Sequence, residues 1–308
     1  MSDFLYTVRN YCPADFNNYV QFNIEVEKVE PTGYCVSAEV IAEKLHRPNY
    51  SPEQDLFIAE TGGCIVGYLD ITPELKIGRI ILNCLVHPDH RRRGLASKIF
   101  GCALFRAKEL GAKIAQVNIP QDSKVAKIVL SKLGFRFVRR FLQLRLDIDE
   151  VHWPDINQFT LDYRHLQSGE EDILTQLQNR SFAGNWGYNP NTVKEIVYRT
   201  HLNYCSPEDI ILVSNGDKVV GYCWVLITHE ATTDERRGQI RMLGVDPRYR
   251  RRGIGKRVLL AGLDHLKNKG LRIVELTVDS ENNAACALYQ SAGFKIWASS
   301  LWYEKVID

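Results

Sequence analysis

Cysteines at metal-ligand or redox spacing are missing from this chain. Its eight cysteines (Cys12, Cys35, Cys64, Cys84, Cys102, Cys205, Cys223 and Cys286) are scattered, with no C-x-x-C pair and no Cys/His cluster. This argues against a structural metal site and a disulfide framework, and for reduced, mostly buried thiols. No apolar run approaches the roughly 18 residues that suggest a membrane span. The first residues, MSDFLYTVRN, lack the basic start and apolar stretch of a secretory leader. The expectation is a soluble cytoplasmic protein without metal or membrane attachment. An excess of one charge is also missing: 39 Lys and Arg stand against 37 Asp and Glu. Nothing global therefore points to nucleic acid or to an anionic surface as partner. Nor is there a short period of about 20 to 50 residues, which would mark a solenoid.

What the chain does contain is one long repeat. Val86 to Phe135, VHPDHRRRGLA…LSKLGF, returns as Val245 to Phe294, VDPRYRRRGIG…LYQSAGF. Gly94 corresponds to Gly253 and Gly134 to Gly293 at one offset, 159 residues, so this block repeats without a gap. Upstream, Val66-Gly67-Tyr68 matches Val220-Gly221-Tyr222 at an offset of 154. The second copy thus holds five extra residues between these landmarks, expected in the polar loop His229 to Gly238. With 308 residues, the chain suits two domains of roughly 150 residues, each burying its own core. The expected domains are 1–148 and 158–308, linked by Asp149 to Asn157 with Trp153-Pro154.

Both halves read in the same order. A strand (Leu5 to Arg9; Thr160 to Tyr163) is followed by amphipathic helices. In the second half Ser168 and Gly169 precede Glu170, Glu171 and Asp172, acids suited to a first helical turn; another helix starts at Asn191 or Thr192. Hairpins follow at Thr61-Gly62-Gly63 and Asn215-Gly216-Asp217. The next strand (Arg79 to Val86; Gln239 to Val245) runs out towards a proline, which cannot donate to a ladder, and RRRG opens a helix. A strand (Ile114 to Ile119; Ile273 to Val278), a helix and a last strand beginning at Gly-Phe complete each copy. Phe141 to Ile148 is expected to close the first sheet.

The segment Arg250-Arg251-Arg252-Gly253-Ile254-Gly255-Lys256-Arg257 lies between a strand and a helix. A helix start offers unpaired amides and partial positive charge, and glycine lets backbone approach an anion, so the segment suits a pyrophosphate. By itself the pattern also describes a solvated basic helix start. Asn282, Ala285, Leu288, Tyr289 and Gly293-Phe294 follow as NxxAxxLYxxxGF. With V-D-P-x-x-R-x-x-G-x-G upstream, this resembles the GNAT family, the GCN5-related N-acetyltransferases, over essentially both halves.

The resemblance implies an α/β fold of two tandem GNAT domains. Each would be a mixed, mostly antiparallel sheet flanked by helices, with a V-shaped splay between two parallel strands. It implies acetyl-CoA as co-substrate, with Leu243, Gly244 and Val245 holding the pantetheine and acetyl carbonyl. Amides and side chains from Arg250 to Lys256 would hold the pyrophosphate, with Asn282 as a cofactor contact or helix cap. Tyr289 would be the general acid, donating to a thiolate whose ordinary pKa is about 8.5.

Within that family the second half is most similar to the mycothiol synthase type of tandem acetyltransferase. The matching segments are GVDP, RRGIG, VDSEN and LYQSAGF, with Asn179 to Phe182 upstream. In that type an acid at the start of the strand before GVDP is the base; here Gln239 stands there. Glu230, Asp234, Glu235 and Asp279 are the candidates for proton acceptor, with a water oriented by Gln239 as another route. Trp186 and Tyr188 either line an acceptor pocket or pack under a loop.

The first copy keeps Leu85, Val86, Arg91, Arg92, Arg93, Gly94, Leu95 and Ala96 as a possible second cofactor site. It has Leu130 at the Tyr289 position and Ser123 at the Asn282 position, and leucine cannot donate a proton. His87 and His90 sit at its strand exit, facing solvent or the phosphate loop. The expectation is acetyl transfer by the second copy to a primary amine, most simply of a small molecule, by direct attack in a ternary complex. A protein N-terminus or lysine, a mycothiol-type substrate, and a non-catalytic acetyl-CoA sensor are the alternatives. The oligomeric state is not readable.

Overall fold

The computed structural model describes residues 6–31, 36–151, 162–229 and 236–307. The chain forms β1 (Thr7–Asn10), α1 (Phe16–Val29), α2 (Ala38–Leu45), a single turn α3 (Pro52–Asp55), β2 (Leu56–Thr61), β3 (Cys64–Glu74), β4 (Arg79–Val86), α4 (Leu95–Glu109), β5 (Ile114–Pro120), α5 (Lys124–Lys132) and β6 (Arg136–Asp147). The second copy continues with β7 (Tyr163–His165), α6 (Glu171–Phe182), α7 (Val193–Thr200), β8 (Ile210–Asn215), β9 (Lys218–His229), β10 (Arg236–Val245), α8 (Ile254–Asn268), β11 (Ile273–Asp279), α9 (Asn283–Ser291) and β12 (Lys295–Val306). Trp153, Pro154, Thr160, Cys35, Glu230, Asp234 and Glu235 lie outside the described residues.

Local signals explain most element ends. Gly62 and Gly63 both take positive φ, 57° and 78°, in the two-residue β2–β3 turn, the geometry that matches strand twist. Thr192 caps α7 through a reciprocal box with Glu195. Helix α6 starts at Glu171 without a side-chain cap, and Glu170 instead pairs with Arg164. In α8, Ile254, Val258, Leu259, Leu263 and Leu266 form the buried stripe, and Leu95, Ile99, Phe100, Ala103 and Ala107 do so in α4. A Cβ on Gly262 would lie 2.4 Å from Cys223 Sγ, so only glycine lets α8 seat this closely on β9.

Two compact units result: residues 1–139 with 300–308, and residues 140–299. The first orders its strands β1-β2-β3-β4-β5-β12, the second β6-β11-β10-β9-β8-β7. All described pairs within each unit are antiparallel except β4/β5 and β10/β11. Each unit is thus a mixed, mostly antiparallel sheet with helices.

The closing strands differ from expectation. Phe141 to Asp147 pair with β11 in the second unit, and Ser300 to Val306 pair with β5 in the first. Each copy therefore receives its closing strand from the other copy's sequence, and the compact units depart from the bounds 1–148 and 158–308. Charge explains the choice. On β12, Glu304 faces Gln116 and accepts its amide at 2.7 Å, while buried Arg79 donates to Gln116 Oε1 at 2.8 Å. On β6, Arg145 faces Glu275 and donates at 2.6 Å. Arg145 and Glu304 are equivalent in the repeat, so unexchanged strands would set Glu304 against Glu275 and Arg145 near Arg79.

Two smaller expectations are corrected. The ladders pair Glu74 with Arg79 and Thr228 with Arg237, which leaves four of the five extra residues in the loop before β10. The fifth is Arg241, a bulge where the register shifts between Ile240 and Met242. Of the seven described cysteines only Cys223 is buried. Cys12 precedes a helical turn, Cys64 leaves a hairpin, and Cys84 lies on β4 beyond its pairing with β5; all three are exposed.

Candidate active site

The parallel pair in each unit is short. Gly238, Gln239 and Ile240 pair with Val274, Glu275 and Leu276; Arg79, Ile80 and Ile81 pair with Ile114, Ala115 and Gln116. Beyond these residues the strands run on without further ladder pairs, opening the V in both units. Backbone groups of β10 from Met242 to Val245 remain bonded to β9 on one side only. The bulge at Arg241 lies where the V opens in the second unit, and a bulge re-aims the strand that follows. Strand β4 pairs with β3 in unbroken register and has no counterpart. Just past the bulge, a Cβ on Gly244 would come within 2.4 Å of Tyr222 Cε1 and 2.9 Å of Ser181 Cβ.

Strand β10 leads into the helix start. Gly253 is the left-handed N-cap of α8 (φ 75°) and offers no side chain to its first amides. Arg251 also has positive φ, 59°, so successive amides turn towards one side in the manner of an anion nest. A Cβ on Gly253 would meet nothing within 4 Å, and Arg251, Arg252 and Lys256 are exposed around this open space. These residues fit the diphosphate of a nucleotide donor: free amides, partial positive charge and flanking cations.

Arg250 has another job. Its guanidinium donates to the Val245 carbonyl at 3.3 Å and to the Ser181 carbonyl at 2.5 Å, tying the strand exit to the end of α6 instead of facing the anion site. Asp246, whose side chain is 2 % exposed, completes the tie. It accepts from the Arg248 amide and guanidinium and from Arg180 at 3.0–3.1 Å, which holds its carboxyl well below the usual range. In the sequence Asp246 shows only as part of V-D-P and Arg180 only as part of the Asn179 to Phe182 segment, and neither motif signals that the two meet.

Tyr289 on α9 is buried in one packed cluster with Val245 and Ile254, and its ring meets Phe294 edge-on at 5.8 Å. Burial, then Cys223 and Cys286, push its phenol far above the ordinary value. Cys223 is the ladder partner of Leu243, which brings the tyrosine close to the opened part of β10. Among the described residues its hydroxyl makes no hydrogen bond. Asn282 is the helix cap, accepting from the Ala285 amide at 3.2 Å.

The proton acceptor is less concentrated. Half-buried Gln239 lies beside Glu275 on the parallel ladder, and Glu275 is held by Arg145 and, at 3.5 Å, by Arg237. Asp279 accepts from the Glu281 amide at 3.0 Å in the turn after β11. Tyr188 packs under its loop: it stacks on Phe182 at 5.4 Å and donates to Asn179 Oδ1 at 2.7 Å. Trp186 lies 6.0 Å from Phe141.

In the first unit Gly94 repeats the left-handed cap (φ 78°) and Arg92 the positive φ, 62°. Two of its three arginines are committed elsewhere. Arg91 donates to Val86 at 2.9 Å and to Glu30 at 2.5–2.7 Å, and Arg93 to the Tyr6 hydroxyl at 2.7 Å. Leu95 is buried at the start of α4 and Ala96 follows it on the surface side. Ser123 makes no cap bond, and Leu130 is buried at the tyrosine position. His90 meets the Tyr6 hydroxyl at 3.1 Å, and His87 accepts from the Asp89 amide.

A short parallel pair that splits, a bulged strand, an uncapped helix start flanked by arginines, and a buried protonated phenol define an acyltransferase of the GNAT type. The sequence model of the Acetyltransferase (GNAT) family matches residues 25–135 and 172–294, so the chain belongs to that family and is an N-acetyltransferase. It is similar to the mycothiol acetyltransferase of Actinosynnema mirum, 28 % identical over 285 residues and 91 % of each chain. It is also similar to that of Amycolatopsis mediterranei, 29 % identical over 77 % of this chain and 79 % of the relative. Two solved structures share the fold. A GCN5-related N-acetyltransferase from Sphaerobacter thermophilus has TM-score 0.72 and 22 % identity, covering 98 % of this chain and 96 % of its own. A tandem GNAT protein from the clavulanic acid biosynthesis pathway has TM-score 0.70 and 15 % identity, covering 99 % of both.

Proposed function

We propose that the second unit transfers acetyl from acetyl-CoA to the primary amine of a small molecule, by direct attack with both substrates bound. Acetyl-CoA, when bound, supplies an activated thioester. The carrying observation is the contrast between copies: both have an open amide nest at the helix start, at Gly94 and at Gly253, but only the second adds the Arg241 bulge and the uncommitted Tyr289 hydroxyl, where the first has an unbroken β4 ladder and Leu130. Leu243 to Val245 offer backbone groups along the split. Amides from Arg251 to Lys256, with the Arg251, Arg252 and Lys256 side chains, would receive the diphosphate. Tyr289 holds its proton at Oη for a departing sulfur.

Among acceptors, a mycothiol-type amine is the second reading, favoured by a relative matched over 91 % of the chain. The acid used as base in that type is Gln239 here, which supports a different route for the amine proton, through water to Asp279 or to the acids of the loop before β10.

Calorimetric titration of wild type and Gly253→Glu with acetyl-CoA tests the donor site. The variant fills the nest with bulk and negative charge, so the second unit's binding is expected to vanish. Unchanged affinity would overturn the site. Residual binding near one equivalent would assign a second nucleotide to Arg91 to Ala96.

A further inference from the structure

The first unit contains a cavity of about 50 Å³ between α1, α2, β3 and β4, lined by Tyr19, Lys44, Arg47, Tyr50, Asp70 and Asn83 among others. That volume admits roughly four water-sized groups. Its floor is the ladder pair Asp70–Asn83, two residues past Ile81, the last residue of β4 paired with β5. The same ladder position in the second unit is Trp224–Met242. Trp224 is 1 % exposed and sits in a packed apolar cluster with Leu174, Leu177 and Tyr222, with Met242 against it. Two copies of one fold have thus diverged at one place, apolar and filled in one, polar and hollow in the other.

The polar groups of the cavity are unequally committed. Arg47 donates to both Asp70 oxygens, at 2.8 and 3.1 Å, and to Thr72 Oγ1 at 3.1 Å. Its guanidinium lies 3.4 Å from the centre of the Tyr50 ring. Asp70 is therefore neutralised within the wall. Lys44 makes no ion pair among the described residues and is the surplus cation. The Tyr50 hydroxyl is buried beside Asp70 and no hydrogen bond of good geometry satisfies it; burial, then the adjacent Asp70 carboxylate, keep its proton on. Of the lining groups the Tyr50 hydroxyl is the buried one left without an acceptor, which is costly, and Lys44 is an exposed cation with no ion-pair partner among the described residues.

We propose that this cavity binds the carboxylate end of a small organic acid, with the Lys44 ammonium and the Tyr50 hydroxyl as its donors and the Arg47–Asp70 pair as its rigid wall. A carboxylate with one or two further heavy atoms matches the volume, and the apolar faces of Tyr19 and Tyr68 receive the carbon end. The site lies in the unit without the tyrosine acid, so it is a binding site and not a second reaction centre.

The test is calorimetric titration of the full chain with sodium acetate, glycolate and L-lactate, against acetamide, ethanolamine and inorganic phosphate. At least one carboxylate is expected to bind, acetamide and ethanolamine not. Lys44→Met, which keeps the stem, should weaken binding by about tenfold or more, and Tyr50→Phe by roughly fivefold, as expected for a charged and a neutral hydrogen bond. Circular dichroism of both variants establishes that they fold. Absence of carboxylate binding to wild type, or binding indifferent to both substitutions, would overturn the proposal. So would tighter binding of phosphate, or preferential binding of ethanolamine, which would make Asp70 the recognising group.

Discussion

Tyr289 keeps its proton throughout the neutral range, because its burial opposes the phenolate. Passing that proton fully to a sulfur of ordinary pKa about 8.5 is uphill, so in the proposed reaction the phenol would act mainly as a hydrogen-bond donor as charge develops. Tyr289→Phe is expected to lower turnover by roughly 10- to 1,000-fold with acetyl-CoA affinity nearly unchanged. The sign of the shift adds a second expectation. A phenol raised above its ordinary value near 10 deprotonates only above that pH, so it produces no alkaline fall below about pH 10. Turnover from pH 6 to 10 in both proteins checks this; an alkaline limb near pH 8 that disappears in the variant would contradict the role. This residue was legible, because LYQSAGF at fixed distance from RRGIG gives an otherwise ordinary buried tyrosine a position. Arg250 was legible only as a charge, and which way a guanidinium turns depends on carbonyls contributed by α6. Asp246 was legible only as the middle of V-D-P, and nothing in that motif tells that Arg180 will arrive beside it.

From Arg237 to Val245, strand β10 has one residue more than the equivalent stretch of β4, Arg79 to Val86. The extra Arg241 interrupts the ladder to β9 where the parallel pairing to β11 ends. Deleting Arg241 should restore the straight form of β4 and leave circular dichroism native-like. Acetyl-CoA affinity should fall about tenfold, the worth of one or two backbone hydrogen bonds. Calorimetry checks it, and wild-type affinity in the deletion variant would show that the bulge is dispensable. The sequence offsets counted the extra residues correctly but could not distribute them. A count between two landmarks carries no position, and an arginine, unlike a glycine, does not advertise a bulge. Helix starts varied in the same way: Thr192 and Glu195 declare a capping box, while Glu170 at the start of α6 pairs with Arg164 and gives the helix no side-chain cap.

At the scale of the whole chain the repeat announced two copies of one sheet, but not which strand closes which. Strands β6 and β12 are equivalent, and apolar pattern suits either to both places. The discriminating residues are Arg145 and Glu304, and each matches only the sheet it actually joins. Glu304→Arg sets a second cation near buried Arg79 and deprives Gln116 of its acceptor. It should cost about 1–3 kcal/mol, read from urea midpoints, whereas an unchanged midpoint would show that charge does not choose the partner. The exchange also has a consequence in time. Pro120 is paired with Ser300, so β5 waits for a partner encoded 180 residues downstream. At about 5–20 residues per second of synthesis the wait is roughly 10–40 s. During it the nascent first copy presents an unpaired strand edge, and no ribosome position before the end of the second copy can release it complete.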